Sequence, residues 1–106
     1  MNSADFQKLA TIRLAEAKIL LRNKQYAGAY YLAGYSIECA LKACIAAKTK
    51  ATDFPPKPDM VRDYYRHDLV ALVRLAELKD RLDARCKASS RFRSNWEVVR
   101  FWTEQS

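Results

Sequence analysis

The stretch that decides the fold is "QYAGAYYLAGYSIECALKACIAAKT", residues 25–49. Between Tyr26 and Ala47 its only charged residues are Glu38 and Lys42, so it is apolar on nearly every side. As one helix it would be about 37 Å long, at 1.5 Å per residue. Such a helix is stable in water only when neighbours surround it, which predicts a central helix in a bundle.

A membrane-spanning helix would have a similar length. It would place Glu38 and Lys42 inside the bilayer, at a cost of about 2.5 to 3.5 kcal/mol each near the centre. The stretch also lacks the density of Leu, Ile and Val that spanning helices have. The sequence therefore predicts a soluble helix and no membrane partner.

The residues before this stretch predict a first helix, over residues 3–22. Its apolar residues recur at spacings of three and four, which places them on one face. They are Phe6, Ala10, Leu14, Ala17 and Leu21. Asn23 is the predicted stop, because Asn tolerates the left-handed conformation that ends many helices.

The residues after the central stretch predict shorter elements. Pro55, Pro56 and Pro58 exclude a helix and predict a loop, which a short helix over residues 60–66 would follow. Asp68 is the predicted N-cap of another helix, which ends near residues 78–79. Its apolar stripe consists of Leu69, Leu72, Val73 and Ala76.

Residues 79–89 form a charged segment that is expected to pack lightly, with Leu82 and Cys86 as its apolar pair. In the following "SNWE", Ser94 and Glu97 have the spacing of a capping box that would start the last helix. Trp96, Val99 and Trp102 are expected on one side of that helix.

The composition agrees with helices throughout. The chain has 106 residues, half of them hydrophobic, with two glycines and three prolines, so we expect a single domain over residues 1–106. The predicted fold class is all-α: a compact antiparallel bundle of four to five helices around one long, nearly all-apolar central helix.

The cysteines indicate a reducing compartment. Cys39, Cys44 and Cys86 are odd in number, form no C-x-x-C pair and are accompanied by one histidine, so neither a disulfide framework nor a metal site is expected. All three are predicted to be buried thiols. No secretion signal opens the chain, so a cytoplasmic protein is expected. Neither a cofactor nor a metal is expected.

Three segments together resemble the HEPN family: "YAGAYYLAGYSIECALKACIAA", "YYRHDLVALVRLA" and "NWEVVRFW". The resemblance extends from about Phe6 to Trp102, and its specific part joins Glu38 and Lys42 to the element His67, Asp68 and Leu69. It implies a dimeric prokaryotic helical bundle, often paired with a minimal nucleotidyltransferase in toxin–antitoxin or defence systems. Related sequences commonly continue into another helix after Trp102, so either this chain is a short member or the family's C-terminal helix is missing.

Many members of this family resemble metal-independent ribonucleases, whose signature is an Arg followed after four to six residues by a His. Arg62 and His67 fit that spacing and are the candidate catalytic residues. His67 would act as general acid or base, and Arg62 or Arg66 would stabilise the developing phosphorane charge. The alternative is that His67 and Asp68 only cap the next helix, and on a continuous helix Arg62 and His67 would point apart by about 140°.

The candidate nucleotide- or RNA-binding residues form two groups. Glu38 and Lys42 have the spacing and order of an intrahelical ion pair, or they line a nucleotide pocket. Arg85, Lys87, Arg91 and Arg93 belong to a basic run that holds much of the net charge of +7, and an RNA backbone could follow it while Phe92 or Trp96 stacks on a base. A solvated charged helix would look the same.

The leading hypothesis is a non-catalytic HEPN module that binds RNA or a nucleotide, or a nucleotidyltransferase-type partner. The alternatives are an endoribonuclease toxin that uses Arg62 and His67, and a purely structural oligomerisation domain.

A homodimer is also expected, because the other helices are too short to cover the central one. The strip predicted to stay uncovered comprises Tyr26, Ala29, Tyr30, Ala33 and Ile37. Ala33 and Gly34 would let two central helices approach closely.

Overall fold

The computed structural model describes residues 2–49 and 68–106. Within these residues it contains helices and no strand, which confirms the all-α fold class. The helices are α1 (Ser3–Arg22), α2 (Tyr26–Thr49), α3 (Leu69–Leu75), α4 (Lys79–Ala88) and α5 (Ser90–Val99). The loop and the short helix predicted over residues 50–66 lie outside the described residues.

Helix α1 begins with a capping box. The Asn2 side chain accepts a hydrogen bond from the Asp5 backbone, and the Asp5 carboxylate accepts one from the Asn2 backbone. The helix ends at Asn23 as predicted, but Asn23 is not the left-handed residue. Its φ is −93°, and its side-chain amide donates to the Ile19 carbonyl, while Lys24 takes the left-handed conformation with φ of 60°.

Helices α1 and α2 form the main helix pair, and small residues line their contact. Ala10 and Ala17 of α1 are buried, as are Ala29 and Ala43 of α2. The Ser36 hydroxyl donates to the Ala10 carbonyl over 2.7 Å, a bond that short side chains permit by letting the backbones approach. Ala29 therefore lies under α1, and its predicted place on an uncovered strip was wrong.

The predicted buried face of α1 was partly wrong. Leu14 is 44% exposed and Leu21 is 57% exposed. The seam instead follows Ala10, Ala17 and the half-buried Leu20. Because α2 presents alanines along this contact, the narrow seam suits small residues and leaves both leucines at its edge.

Helix α3 supplies the densest part of the core. The Asp68 side chain caps it by accepting from the backbone of Val70 and Ala71, and Leu69 and Leu72 are fully buried. These observations confirm the predicted cap and stripe. The helix ends earlier than predicted, because Glu77 adopts a left-handed φ of 59° and the Leu78 backbone donates to the Val73 carbonyl.

Ser89 separates α4 from α5. Its extended backbone ends α4, and its hydroxyl accepts from the Phe92 backbone at the start of α5. The predicted capping box of Ser94 and Glu97 is therefore wrong, since Ser94 lies inside α5. Glu97 instead pairs with Arg93, four residues earlier on the same helix.

Trp102 joins the end of the chain to α2. It lies beyond α5, is 1% exposed and shares the core with residues of α2 and α3; Trp96 and Val99 pack against that core from α5. Its indole Nε1 donates to the Tyr31 carbonyl over 3.0 Å. A Cβ at Gly34 would overlap the indole ring, so Gly34 makes room for Trp102 and is not open to a second central helix.

No helix of the described residues is long and apolar enough to cross a membrane.

Gly34→Ala is expected to destabilise the fold by about 1 to 3 kcal/mol, because the new methyl group displaces the Trp102 indole. Gly28→Ala is the matched control, because its Cβ would meet only the flexible end of Leu20, at 3.1 Å. There the gain in helix propensity offsets the crowding, and we expect a change within about 0.5 kcal/mol. Urea unfolding followed by circular dichroism measures both. Equal losses in the two variants would contradict the role given to Gly34.

Candidate nucleic-acid interface

Helices α4 and α5, together with Arg100 just after α5, hold most of the protein's excess positive charge. Residues 79–100 contain seven basic and three acidic residues, a net +4 of the total +7. No residue of either helix is fully buried, because their apolar side chains are few and reach only the edge of the core. The charged side chains therefore point to solvent.

Most of these charges have no acidic partner. Lys79 pairs with Asp83 and Arg93 pairs with Glu97, both at 3.3 Å. The remaining basic side chains of the two helices form no ion pair with the described residues; they are Arg81, Arg85, Lys87 and Arg91. Exposed guanidinium and ammonium groups in this state are free to contact phosphate.

Two of the arginines lie beside aromatic rings. The Arg85 guanidinium is 5.4 Å from the centre of the half-buried Phe92 ring, which links α4 to α5. Arg100 lies 5.3 Å from the centre of the Phe101 ring, and Phe101 is 74% exposed. Both contacts are within the range of cation–π attraction.

The residues predicted to bind RNA through the basic run are all exposed, but they do not share one face. Arg85 and Lys87 are two residues apart on α4, so their side chains point in directions about 160° apart. Arg81 lies one turn before Arg85 and is closer to it in direction. Arg93 is engaged by Glu97.

Glu38 and Lys42 are not part of this surface. Both are buried on α2, and the Lys42 ammonium lies 3.1 Å from the Glu38 carboxylate. This confirms the predicted intrahelical ion pair. The alternative that the two residues line a nucleotide pocket stays a hypothesis.

Comparison with protein families matches residues 5–101 to the HEPN domain. The chain belongs to the HEPN family. HEPN domains are generally associated with nucleotides or RNA, and the match covers every helix described above. Comparisons with curated proteins and with solved structures gave no significant match.

The predicted catalytic pair of this HEPN domain, Arg62 and His67, lies outside the described residues. Asp68, which follows His67, caps α3 through its carboxylate. Among the described residues no three His, Cys, Asp or Glu side chains are grouped in a way that could hold a metal ion.

The prediction of three buried thiols was correct only for Cys39. Cys44 is exposed and Cys86 is partly exposed, because the first lies on an uncovered side of α2 and the second on the lightly packed α4. Burial raises the pKa of the Cys39 thiol to about 11, and the neighbouring Glu38 carboxylate adds to this rise. Burial likewise raises the pKa of the Tyr35 hydroxyl. Both groups therefore stay protonated at neutral pH.

Sequence reasoning missed Arg100 and Phe101. A signal was present, because a helix that continued past Val99 would place Phe101, nine residues after Phe92, half a turn away from it. With Phe92, Trp96 and Val99 directed to the core, Phe101 is then expected to point outward. Phe92 and Trp96 were the predicted stacking residues because they lie in or next to the basic run.

Lys42→Met is expected to destabilise the HEPN domain by about 3 to 5 kcal/mol, because it removes one charge of a buried ion pair. Lys79→Met removes the same kind of i, i+4 pair from the surface and should cost less than about 1 kcal/mol. The double variant Glu38→Leu with Lys42→Met should recover part of the loss. Urea unfolding measures all three, and a similar small effect at both lysines would refute a stabilising buried pair.

Proposed function

We propose that this HEPN domain is an RNA-binding module whose contact surface lies on the exposed parts of α4 and α5 and extends over more than one side of α4. The observation that carries the proposal is the set of four basic side chains there without an ion pair: Arg81, Arg85, Lys87 and Arg91. Each can neutralise one phosphate and release a condensed counterion. Family membership supports RNA as the polyanion.

The light packing of α4 and α5 also supports this role. The Ser89 cap and the buried Trp102 hold the two helices in place. Their long cationic side chains therefore do not have to cover the core and can extend into solvent. Arg85 is positioned by Phe92. A guanidinium held by an aromatic ring loses less side-chain entropy when it binds a phosphate.

We expect wild-type protein to bind a single-stranded RNA oligonucleotide weakly and with strong salt dependence. Replacement of Arg81, Arg85, Lys87 and Arg91 by Gln should reduce the slope of log K against log salt by up to about 3, at about 0.7 per phosphate contact. Fluorescence anisotropy at several salt concentrations measures the slope.

The control removes the same charge from α1 and the turn after it. Lys8, Lys18, Arg22 and Lys24 are exposed on α1 and the turn after it. Their replacement by Gln should change the slope by less than about 1. Equal effects of the two quadruple variants would show a dependence on net charge alone and would refute a surface on α4 and α5.

The endoribonuclease alternative depends on Arg62 and His67 and stays a hypothesis, as does a nucleotidyltransferase-type partner. Cleavage of the same oligonucleotide in chelator, lost in His67→Ala, would favour the enzyme. The toxin–antitoxin or defence role depends on such a partner and is a hypothesis of the same standing.

The homodimer is likewise a proposal, and the uncovered side of α2 supports it. Tyr26, Ala40 and Cys44 are exposed, and Ala33 and Ile37 are half-buried. Their spacings of 7, 4, 3 and 4 in chain order place all five within a narrow sector of the helix. A second copy packed along this sector would remove the apolar surface from water.

Ala40→Arg is expected to convert a dimer into a monomer, because it places a charge in the middle of that sector where the residue is already exposed. Ala15→Arg is the control, since Ala15 is exposed on α1 and should tolerate the same change. Light scattering at micromolar concentration measures the mass. A wild-type mass equal to the monomer's 12.2 kDa would refute the dimer.

A further inference from the structure

Phe101 is the most exposed of the large hydrophobic side chains among the described residues. It is 74% exposed, although its neighbour Trp102 is buried. Leaving an aromatic ring in water forgoes the free energy of burying it, so the position is unfavourable for folding alone. A single exposed ring is not in itself a sign of a contact, so its surroundings decide what it can bind.

The backbone of Phe101 is held in a defined place. The Trp102 backbone N–H donates to the Val99 carbonyl over 2.9 Å, and the Trp102 indole donates to the Tyr31 carbonyl. The Tyr30 hydroxyl also contacts the Val98 carbonyl, at 3.4 Å. Because Val98 and Trp102 are each hydrogen-bonded to α2, a ligand that stacks on Phe101 does not have to order a flexible tail.

A positive charge lies beside the Phe101 ring. The Arg100 guanidinium lies 5.3 Å from the ring centre, and Arg100 forms no ion pair with the described residues. The outward side of α5 that leads to Phe101 carries Ser90, Ser94 and Glu97, and Glu97 is paired with Arg93 on one flank. On the other flank Arg91 forms no ion pair with the described residues, so a polyanionic strand along that flank would meet Arg91 and then Arg100 beside the aromatic ring.

We infer that Phe101 is a stacking platform for one base of a single-stranded nucleic acid, with Arg100 beside it to bind the adjoining phosphate. The inference rests on the proposed RNA-binding function and adds the form of the ligand. In a duplex the base faces are already stacked on each other and cannot reach a protein ring, whereas an unpaired base has a free face. Phe92 is a poorer platform, because its ring is half-buried, whereas Phe101 is 74% exposed.

The test uses one labelled strand in two forms, a twelve-nucleotide oligo(A) RNA alone and the same strand annealed to oligo(U). Phe101→Ala should weaken binding of the single strand about five- to a hundredfold and change binding of the duplex less than about twofold. Val98→Ala is the matched control, since Val98 is 63% exposed on the same segment but has no π system. It should leave both affinities unchanged.

Phe101→Trp provides the second readout. It keeps a stacking surface and should bind the single strand at least as tightly as wild type. The exposed indole should also be quenched on binding of oligo(A), to a greater extent than Trp96 and Trp102 are in the wild-type protein. Retained affinity together with quenching places a base against the ring.

The remaining outcomes decide against the inference in distinguishable ways. If Phe101→Ala weakens both probes equally, or Val98→Ala weakens the single strand as much, the ring is not a base platform. If Phe101→Ala leaves RNA binding intact and changes the mass in light scattering, Phe101 belongs to a protein interface. If wild-type protein binds neither probe, the proposed RNA-binding function itself fails.

Discussion

The contact between Trp102 and Gly34 is the constraint on which the arrangement of the C-terminal half depends. Helices α4 and α5 bury no residue fully, so their own side chains reach only the edge of the core and hold them weakly. The buried indole beyond α5 does so, through a hydrogen bond to Tyr31 and a close fit against the backbone of α2. A position without a Cβ on α2 thereby determines where the basic helices lie.

This arrangement separates stability from binding. Stability comes from the α1–α2 seam, the fully buried Leu69 and Leu72 of α3, and Trp102. The basic side chains of α4 and α5 contribute little to that core and are exposed to solvent. A surface that does not have to support the fold can present cations at high density, and this supports the proposed interaction with RNA.

The two charged groups predicted from the sequence have different surroundings. Glu38 and Lys42 are buried among apolar residues, where a pair of opposite charges is required because an isolated charge would be costly. The basic residues of α4 and α5 are hydrated and have no such requirement. The sequence alone does not show which of the two groups is buried, because burial depends on how the helices pack against each other.

The sequence by itself determined the all-α class, the extent of α2, the Asp68 cap with the stripe of α3, and the Glu38–Lys42 pair. These follow from periodicity and from interactions within one helix, which need no knowledge of the partner helix. Only the tertiary structure decided that Leu14 and Leu21 lie outside the α1–α2 seam, that Gly34 receives Trp102, and that Phe101 faces solvent. These depend on how closely two helices approach, and that distance is set by the side chains of both helices together.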